Sequence, residues 1–436
     1  MLEFGSAKSV LIIVPHEDDE INLMGGLLPL LVEKRLTVSV CFITNGDYAV
    51  PGEVRIKEAL ASLECLGIAD KNIYFLGYPD ASDVVDHSLY KTKIPVKSQK
   101  GIYTYGISQK KEYRMVKSEV HHLNIYENLV RDMTNLILDL QPEVIFCTDL
   151  DGHHDHRLTS LLFEECLYNI LLENIYYRPL IFKGFAYATT YEGVDDFFTT
   201  LNVSAAIKPS KDQLAFNALS ELDNPLYKWE ERVRFPVSEE ALNRKYWRNK
   251  LAKAMCCHKS QFLRKRMGRI VNSDVVFWQI NYSELHSFDI NNIEELHKPL
   301  KYQTLSKVQI NEDTKYKVNI CKILIDNEFA YRRFYTNKKN IYVEIYTYNI
   351  QGPCKVMVNG KELTKFEELE LSRYSNKIQI SVYDCQGKLL DETEIRRCSW
   401  LKFIFLKLLK RFLKLTNYLA YKIDKLKYNS IIKNIE

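Results

Sequence analysis

The chain has 436 residues, 46% hydrophobic and 27% charged, which allows two or three domains at roughly 100 to 200 residues each and is too apolar for a disordered polymer. Its formal net charge is only +4, so the bulk of the molecule makes no electrostatic argument for a nucleic-acid partner. Ten cysteines include no Cys-x-x-Cys pair, and only Cys256 and Cys257 are adjacent, which argues against a disulfide framework or a thiolate zinc site and fits reduced thiols in a cytoplasm.

Ser9 to Val14 (SVLIIV) is too short an apolar run for a signal-peptide core and reads as a first strand. Ile21, Met24, Leu27, Leu28 and Leu31 then fall at helical spacing, and Thr37 to Ile43 is a second β-branched run. Arg55 to Leu66 carries Ile56, Ala59, Leu60 and Leu63 on one helical face, Gly67 stops it, and Ile73 to Leu76 is a further strand. Between Asp83 and Val120 the sequence turns polar, which predicts a long loop or lid. Glu143 to Thr148 (EVIFCT) is another buried strand, and a helix rich in Leu and Phe follows from about Leu158. Such alternation predicts an α/β domain with a mostly parallel sheet and flanking helices, whose ligands sit beyond the carboxyl ends of the strands.

From about residue 307 to 396 the pattern changes. Ile341 to Tyr348 alternates, Asn359-Gly360 marks a tight turn, and Ile378 to Tyr383 alternates again, which predicts a small, separate β domain. Beyond Trp400 the chain is apolar yet studded with lysine. On a helix, Lys407, Lys410, Arg411 and Lys414 fall within an arc of about 100°, opposite Leu401, Ile404, Phe405, Leu408, Leu409, Phe412 and Leu415. Residues 400–426 therefore suit the surface of an anionic membrane or packing on the protein itself or on a partner. The apolar face is too large for a solvated nucleic-acid-binding arm. Asn-x-Ser triplets at Asn202 and Asn281 carry no meaning in a cytoplasmic chain.

Two clusters carry chemistry. Pro15-His16-Glu17-Asp18-Asp19-Glu20 follows the first strand directly, and Asp149-Leu-Asp-Gly-His153-His154-Asp155-His156 follows the Glu143 to Thr148 strand. Strands that are distant in sequence but adjacent in a parallel sheet bring their ends together, so His16, Asp19 and His156 can offer three ligands to one ion. A catalytic zinc typically keeps three protein ligands and leaves the fourth position to water, whose pKa falls to about 7. Asp18 can accept that water's proton, and His153 can stabilise an oxyanion or protonate a leaving amine, with Asp155 orienting it. Acidic residues after a strand also cap the next helix, but caps need no histidine.

The Pro-His-Glu-Asp-Asp-Glu and His-His-Asp-His elements resemble the two signatures of the PIG-L (LmbE-like) deacetylases, zinc enzymes with a Rossmann-like fold that hydrolyse N-acetylglucosamine conjugates. Thr44-Asn45-Gly46, Arg55-x-x-Glu58, Ala59, Leu66-Gly67 and Phe75-Leu-Gly-Tyr-Pro-Asp80 are similar to the family's stretch between its first strands. Lys253-Ala-x-x-Cys-His258-x-Ser260-Gln261 is similar to its later His-x-Ser-Gln element, so the resemblance covers roughly residues 8 to 265. It implies His16, Asp19 and His156 as ligands of Zn2+ or another divalent metal, Asp18 as general base, and His153 with Asp155 as the polarising pair. Arg55 and Asp80 fall where the family holds sugar hydroxyls; their bland readings are a helix-surface arginine and a turn aspartate. Glu17 and His154 stand where many relatives have proline, and His154 adds an imidazole beside the expected ligands. His258 reads as a packed or capping histidine.

The expected organisation is a PIG-L-like deacetylase domain at 1–300, a small β-sandwich-like domain at 307–396 and a basic amphipathic helix at 399–430. The expected function is removal of the acetyl group from an N-acetylhexosamine conjugate, lipid-linked or an intermediate of glycan biosynthesis, in the cytoplasm, with peripheral contact at the inner face of the membrane if the tail binds there. A second reading keeps the enzyme class and shifts the substrate to a small N-acetylglucosaminyl thiol precursor or another amide. A non-catalytic glycan-binding or scaffolding protein with a vestigial metal site is the alternative from a different class.

Overall fold

The computed structural model describes residues 6–80, 88–150, 153–174, 176–186, 233–236, 238, 240–241, 243, 246–267 and 274–280. In the C-terminal part it describes 286–288, 302–304, 320–326, 328–329, 333–348, 352–363, 369–370 and 376–432. Chain order begins β1 (Ser9–Val14), α1 (Asp19–Met24), α2 (Leu27–Glu33), β2 (Thr37–Thr44), α3 (Gly52–Leu66) and β3 (Ile73–Tyr78). It continues with α4 (Tyr113–Ser118), α5 (Tyr126–Leu140), β4 (Val144–Thr148), α6 (His154–Glu173), β5 (Leu180–Gly184), β6 (Val233–Pro236), α7 (Lys250–Met255) and β7 (Asp274–Ile280).

These strands form one sheet in the order β3-β2-β1-β4-β5-β7-β6. β3 through β5 run parallel, and β7 is antiparallel to both β5 and β6. β1 explains the continuous apolar run. Val10, Ile12 and Val14 face a layer built from α1, α2, α3 and α7, while Leu11 and Ile13 face α5 and α6. A strand covered on both sides has no wet face to make polar. The strand order reverses between β1 and β4, and the loops after those two strands open into the crevice where α/β proteins bind ligands.

Three local expectations change. The predicted helix through Ile21 and Leu31 is two helices, because Gly25 and Gly26, poor helix formers, interrupt it. α6 begins at His154, four residues before the first apolar position that announced it, with His153 as its N-cap. Of the expected loop from Asp83 to Val120, residues 83–87 lie outside the described residues. The rest is a strap that includes α4 and is tied down at Asp47, which accepts hydrogen bonds from Gln99 N (2.9 Å) and Tyr105 Oη (2.9 Å).

In the C-terminal part, strands Ile320–Ile325 and Val343–Tyr348 pair antiparallel, and Lys355–Val358, Lys377–Tyr383 and Leu389–Arg397 belong to a second sheet. Ile323, Ile325 and Val343 from one share an apolar cluster with Val356, Ile378, Ile380, Val382 and Ile395 from the other. Asn359 and Gly360, at φ 48° and 79°, form the two-residue connection that their sequence predicts. Helix α8 (Trp400–Ile432) ends the described chain. Among the described residues no helix is long and apolar enough to cross a membrane.

Candidate active site and metal centre

His16 leaves the end of β1, and a one-turn advance into α1 brings Asp19 beside it, with His16 Nδ1 3.0 Å from Asp19 Oδ2. From the end of β4, α6 carries His156 inward, and its Nε2 lies 3.1 Å from the same Asp19 oxygen. The donor atoms of His16, His153 and His156 all lie within 4.8 Å of one another, and so do those of His16, Asp80 and Asp155. His154 and the expected ligand Asp19 belong to neither group. Donors about 3 Å apart have the separation of two ligands that each sit roughly 2 Å from one ion.

The donor chemistry fits a divalent cation. Glu17, Asp18, Asp19 and Asp155 are buried, the Asp80 side chain is 8% exposed, and Arg55 is the buried cation among them. Buried carboxylates are costly unless they are paired or coordinate a metal. Burial acts on the His16 imidazole in the opposite sense to Asp80, Asp155 and Asp19, which together raise its pKa well above the ordinary value. Burial would raise Asp19 and Asp80, yet the neighbouring histidines, and Arg55 beside Asp80, hold both well below the usual carboxylate range. Glu17 is driven the other way, to about 8, because burial outweighs its Arg55 neighbour. Burial also lifts Asp155 to about 6.

Asp18, the expected base, accepts a hydrogen bond from Arg55 Nη2 at 2.9 Å and another from Asn22 Nδ2 at 3.2 Å. The same Asn22 amide donates to Asp19 Oδ1 at 3.2 Å, so one side chain ties the expected base to the expected ligand. Arg55 is buried rather than on a helix surface, and also donates to the Glu17 and Gly46 carbonyls. Gly46 holds φ 56°, and a Cβ there would collide with the Glu17 carboxylate and the Arg55 guanidinium. That is why the Thr44-Asn45-Gly46 turn needs glycine beside the site.

His153 stands at the mouth of α6. Its Nδ1 accepts the Asp155 main-chain N–H at 3.2 Å, and burial with the nearby His16 and His156 pushes its pKa down to about 2. A neutral His153 therefore carries its proton on Nε2. Asp155 reaches His153 through its main chain; its carboxylate lies 3.0 Å from His16 Nε2. Asp80, fixed by its N–H to Asp47 at 3.0 Å, places its carboxylate 3.6 Å from His16 Nε2 and 3.8 Å from Arg55 Nη1.

Of these groups, His16, Asp18, Arg55, Asp80 and His153 line a cleft of about 410 Å³, whereas Asp19, Asp155 and His156 are not among its lining residues. Sequence reasoning missed part of its lining: Phe262, Arg266, Tyr428 and Asn429 also line it. Ser260 and Gln261, noted only as part of a motif, join them. His258 is buried against Glu20, Nε2 to Oε1 2.7 Å, and is not among the residues that line the cleft. Ser260 Oγ donates to Glu58 at 2.6 Å, so the Arg55-x-x-Glu58 and His-x-Ser-Gln elements meet each other.

Residues 11–167 match the family model described as PIG-L, GlcNAc-PI de-N-acetylase. No curated protein sequence matches the chain. Among solved structures, N,N′-diacetylchitobiose deacetylase from Pyrococcus horikoshii with its inhibitor MPG shares 23% identity over 42% of this chain and 63% of that one, with a TM-score of 0.30. A conserved protein from Thermus thermophilus shares 18% over 41% of this chain and 67% of that one, at 0.27. The zinc-inhibited form of teicoplanin deacetylase shares 13% over 62% of this chain and 97% of that one, at 0.32. The chain thus spans less than two thirds of the first of these. Residues 11–167 are a PIG-L family domain.

Proposed function

We propose that the protein is a metal-dependent hydrolase that removes the acetyl group from an N-acetylhexosamine conjugate. The observation that carries this reading is the meeting of His16, Asp19 and His156 from two distant strand ends, with Asp18 at the rim of an open cleft. In this reading His16, Asp19 and His156 hold zinc or another divalent ion, and His153 and Asp155 stand close by. When bound, such an ion supplies Lewis-acid polarisation and a nucleophilic water.

The chain's own residues do the remainder. Asp18, oriented by Arg55 and Asn22, takes a proton from the attacking water. His153 Nε2 donates to the amide oxygen as negative charge develops there, and the water's proton passes to the departing sugar nitrogen. The C–N bond breaks, leaving acetate and a free amine. Arg55 and Asp80 border the place where sugar hydroxyls would lie.

The carrier is read from α8. Leu401, Phe405, Leu408, Phe412, Leu415, Leu419, Ile423 and Leu426 are all more than half exposed and recur every three or four residues. Lys402, Arg411, Lys422 and Lys427 flank that stripe at 100° per residue. An apolar stripe with basic borders suits an anionic membrane surface, which favours a lipid-linked sugar handled at the cytoplasmic face.

Purified protein is incubated with free N-acetylglucosamine and with its nucleotide-linked, thiol-precursor-linked and inositol-phospholipid-linked forms, and primary amine is measured. Release is expected from at least one, greatest for the lipid-linked form. No amine from any, together with no stoichiometric divalent ion, overturns the enzyme in favour of a glycan-binding protein with a vestigial metal site.

A further inference from the structure

α8 does more than expose an apolar stripe, because its opposite side closes the cleft. Leu413, Asn417, Tyr421, Asp424 and Tyr428 recur every three or four residues on one face. Leu413 is 2% exposed and packs into the layer beside the sheet. Asn417 Nδ2 donates to the Arg264 carbonyl at 3.1 Å, and Arg264 Nε pairs with Asp424 at 3.0 Å. Phe262 meets both tyrosines edge to face, with ring centroids 6.1 Å from Tyr421 and 5.7 Å from Tyr428. It does so from a left-handed backbone, φ 52°, a costly conformation for a bulky residue. Anchored this way, the last turns of α8 set Tyr428 and Asn429 into the lining of the cleft that Arg55 and Asp80 also line.

Tyr428 is 7% exposed, and its hydroxyl has no hydrogen-bond partner among the described residues. It lies close enough to Glu58 and Arg55 to feel their charges. A buried hydroxyl without a partner is costly, so it persists where something else satisfies it. The lining combines polar and charged groups (His16, Asp18, Arg55, Asp80, Arg266) with the aromatic residues Tyr48, Phe262 and Tyr428. A pyranose ring matches both, its C–H face against an aromatic ring and its hydroxyls toward polar groups.

The geometry points to Tyr428 as a substrate-contacting residue: the C-terminal helix completes the site, and a hydroxyl of the bound sugar takes the hydrogen bond that the Tyr428 phenol lacks. This rests on the deacetylase reading only for the identity of the sugar as an N-acetylhexosamine. α8 lies outside the residues that match the PIG-L family model.

The test uses the full chain and Tyr428→Phe, which keeps the ring against Phe262 and removes one oxygen. KM for amine release from methyl N-acetylglucosaminide is expected to rise about tenfold with kcat within twofold, the pattern of a lost binding contact. Calorimetric affinity for the same glycoside is expected to fall by the same factor, with an unchanged melting temperature. Turnover with KM and affinity equal to those of the unaltered chain overturns the contact and leaves the deacetylase reading standing. Tyr428-dependent binding without turnover of any substrate overturns the deacetylase reading and supports the contact. Neither binding nor turnover in the unaltered chain overturns both.

Discussion

Arg55 Nη2 and Asp18 Oδ1 lie 2.9 Å apart across 37 residues of sequence, both nearly withdrawn from water. The pair joins the middle of the catalytic proposal to the first turns of α3. A guanidinium held there fixes one oxygen of Asp18 and leaves the carboxylate at the rim of the cleft. Arg55 is therefore expected to act on turnover and not only on sugar affinity.

Replacing Arg55 with alanine removes the guanidinium that Glu17, Asp18 and Asp80 share, leaving Asp18 paired, among the described residues, only with Arg266 at 3.6 Å. Loss of one partner of a buried pair costs about 3 to 5 kcal/mol, so a lower melting temperature is expected, with kcat falling at least tenfold. Thermal melts and steady-state kinetics measure both. A variant with raised KM, normal kcat and normal melting temperature would return Arg55 to a purely sugar-holding role.

Asp18→Asn is nearly isosteric and leaves His16, Asp19 and His156 in place. Turnover is expected to drop by a factor of roughly 10² to 10⁴, as for loss of a general base, with bound metal unchanged. Amine release and elemental analysis are the measurements; undiminished turnover refutes the role.

Chelation is expected to abolish amine release and lower the melting temperature, and zinc or another divalent ion restores both. With free ion at 100 times its Kd, the stabilisation is about 2.7 kcal/mol. Full activity in a metal-free preparation removes the ion from the proposal.

Gly46→Ala tests the turn beneath the cleft. Its φ of 56° and the closeness of Glu17 and Arg55 leave no room for a Cβ. A destabilisation of about 1 to 3 kcal/mol is expected in denaturant titrations. A neutral result means that the turn relaxes without disturbing its neighbours.

Phe405→Glu with Phe412→Glu places two charges on the exposed stripe of α8, away from the face that carries Tyr428. Binding to anionic phospholipid vesicles is expected to fall more than tenfold in co-sedimentation, since each buried aromatic contributes about 1.5 to 3 kcal/mol. Turnover of a water-soluble sugar is expected to stay unchanged. Equal sedimentation of both proteins would leave the stripe with no role at a membrane.

Much of the fold was legible because its signals are local. β1, β2 and β4 show as β-branched runs, β3 as a short apolar run, and α3 as a periodic face closed by Gly67. α6 starts four residues before its first apolar position, Leu158. Its first turn is made of histidine and aspartate, and its cap is a histidine side chain, so neither apolar period nor the usual Ser or Thr marks its start.

By itself the sequence determined which donors exist and that each group follows a buried strand: His16, Asp18 and Asp19 after one, His153, Asp155 and His156 after another. Only the tertiary structure decided who meets whom. Sheet order set β1 beside β4 and so put Asp19 between two imidazoles. Folding also turned Arg55 inward, laid the Asp155 carboxylate on His16, and brought Tyr428 to a cleft that His16 also lines. Periodicity and composition report a residue's surroundings within a few turns of chain. A contact across hundreds of residues is fixed by how layers pack, and no local pattern encodes it.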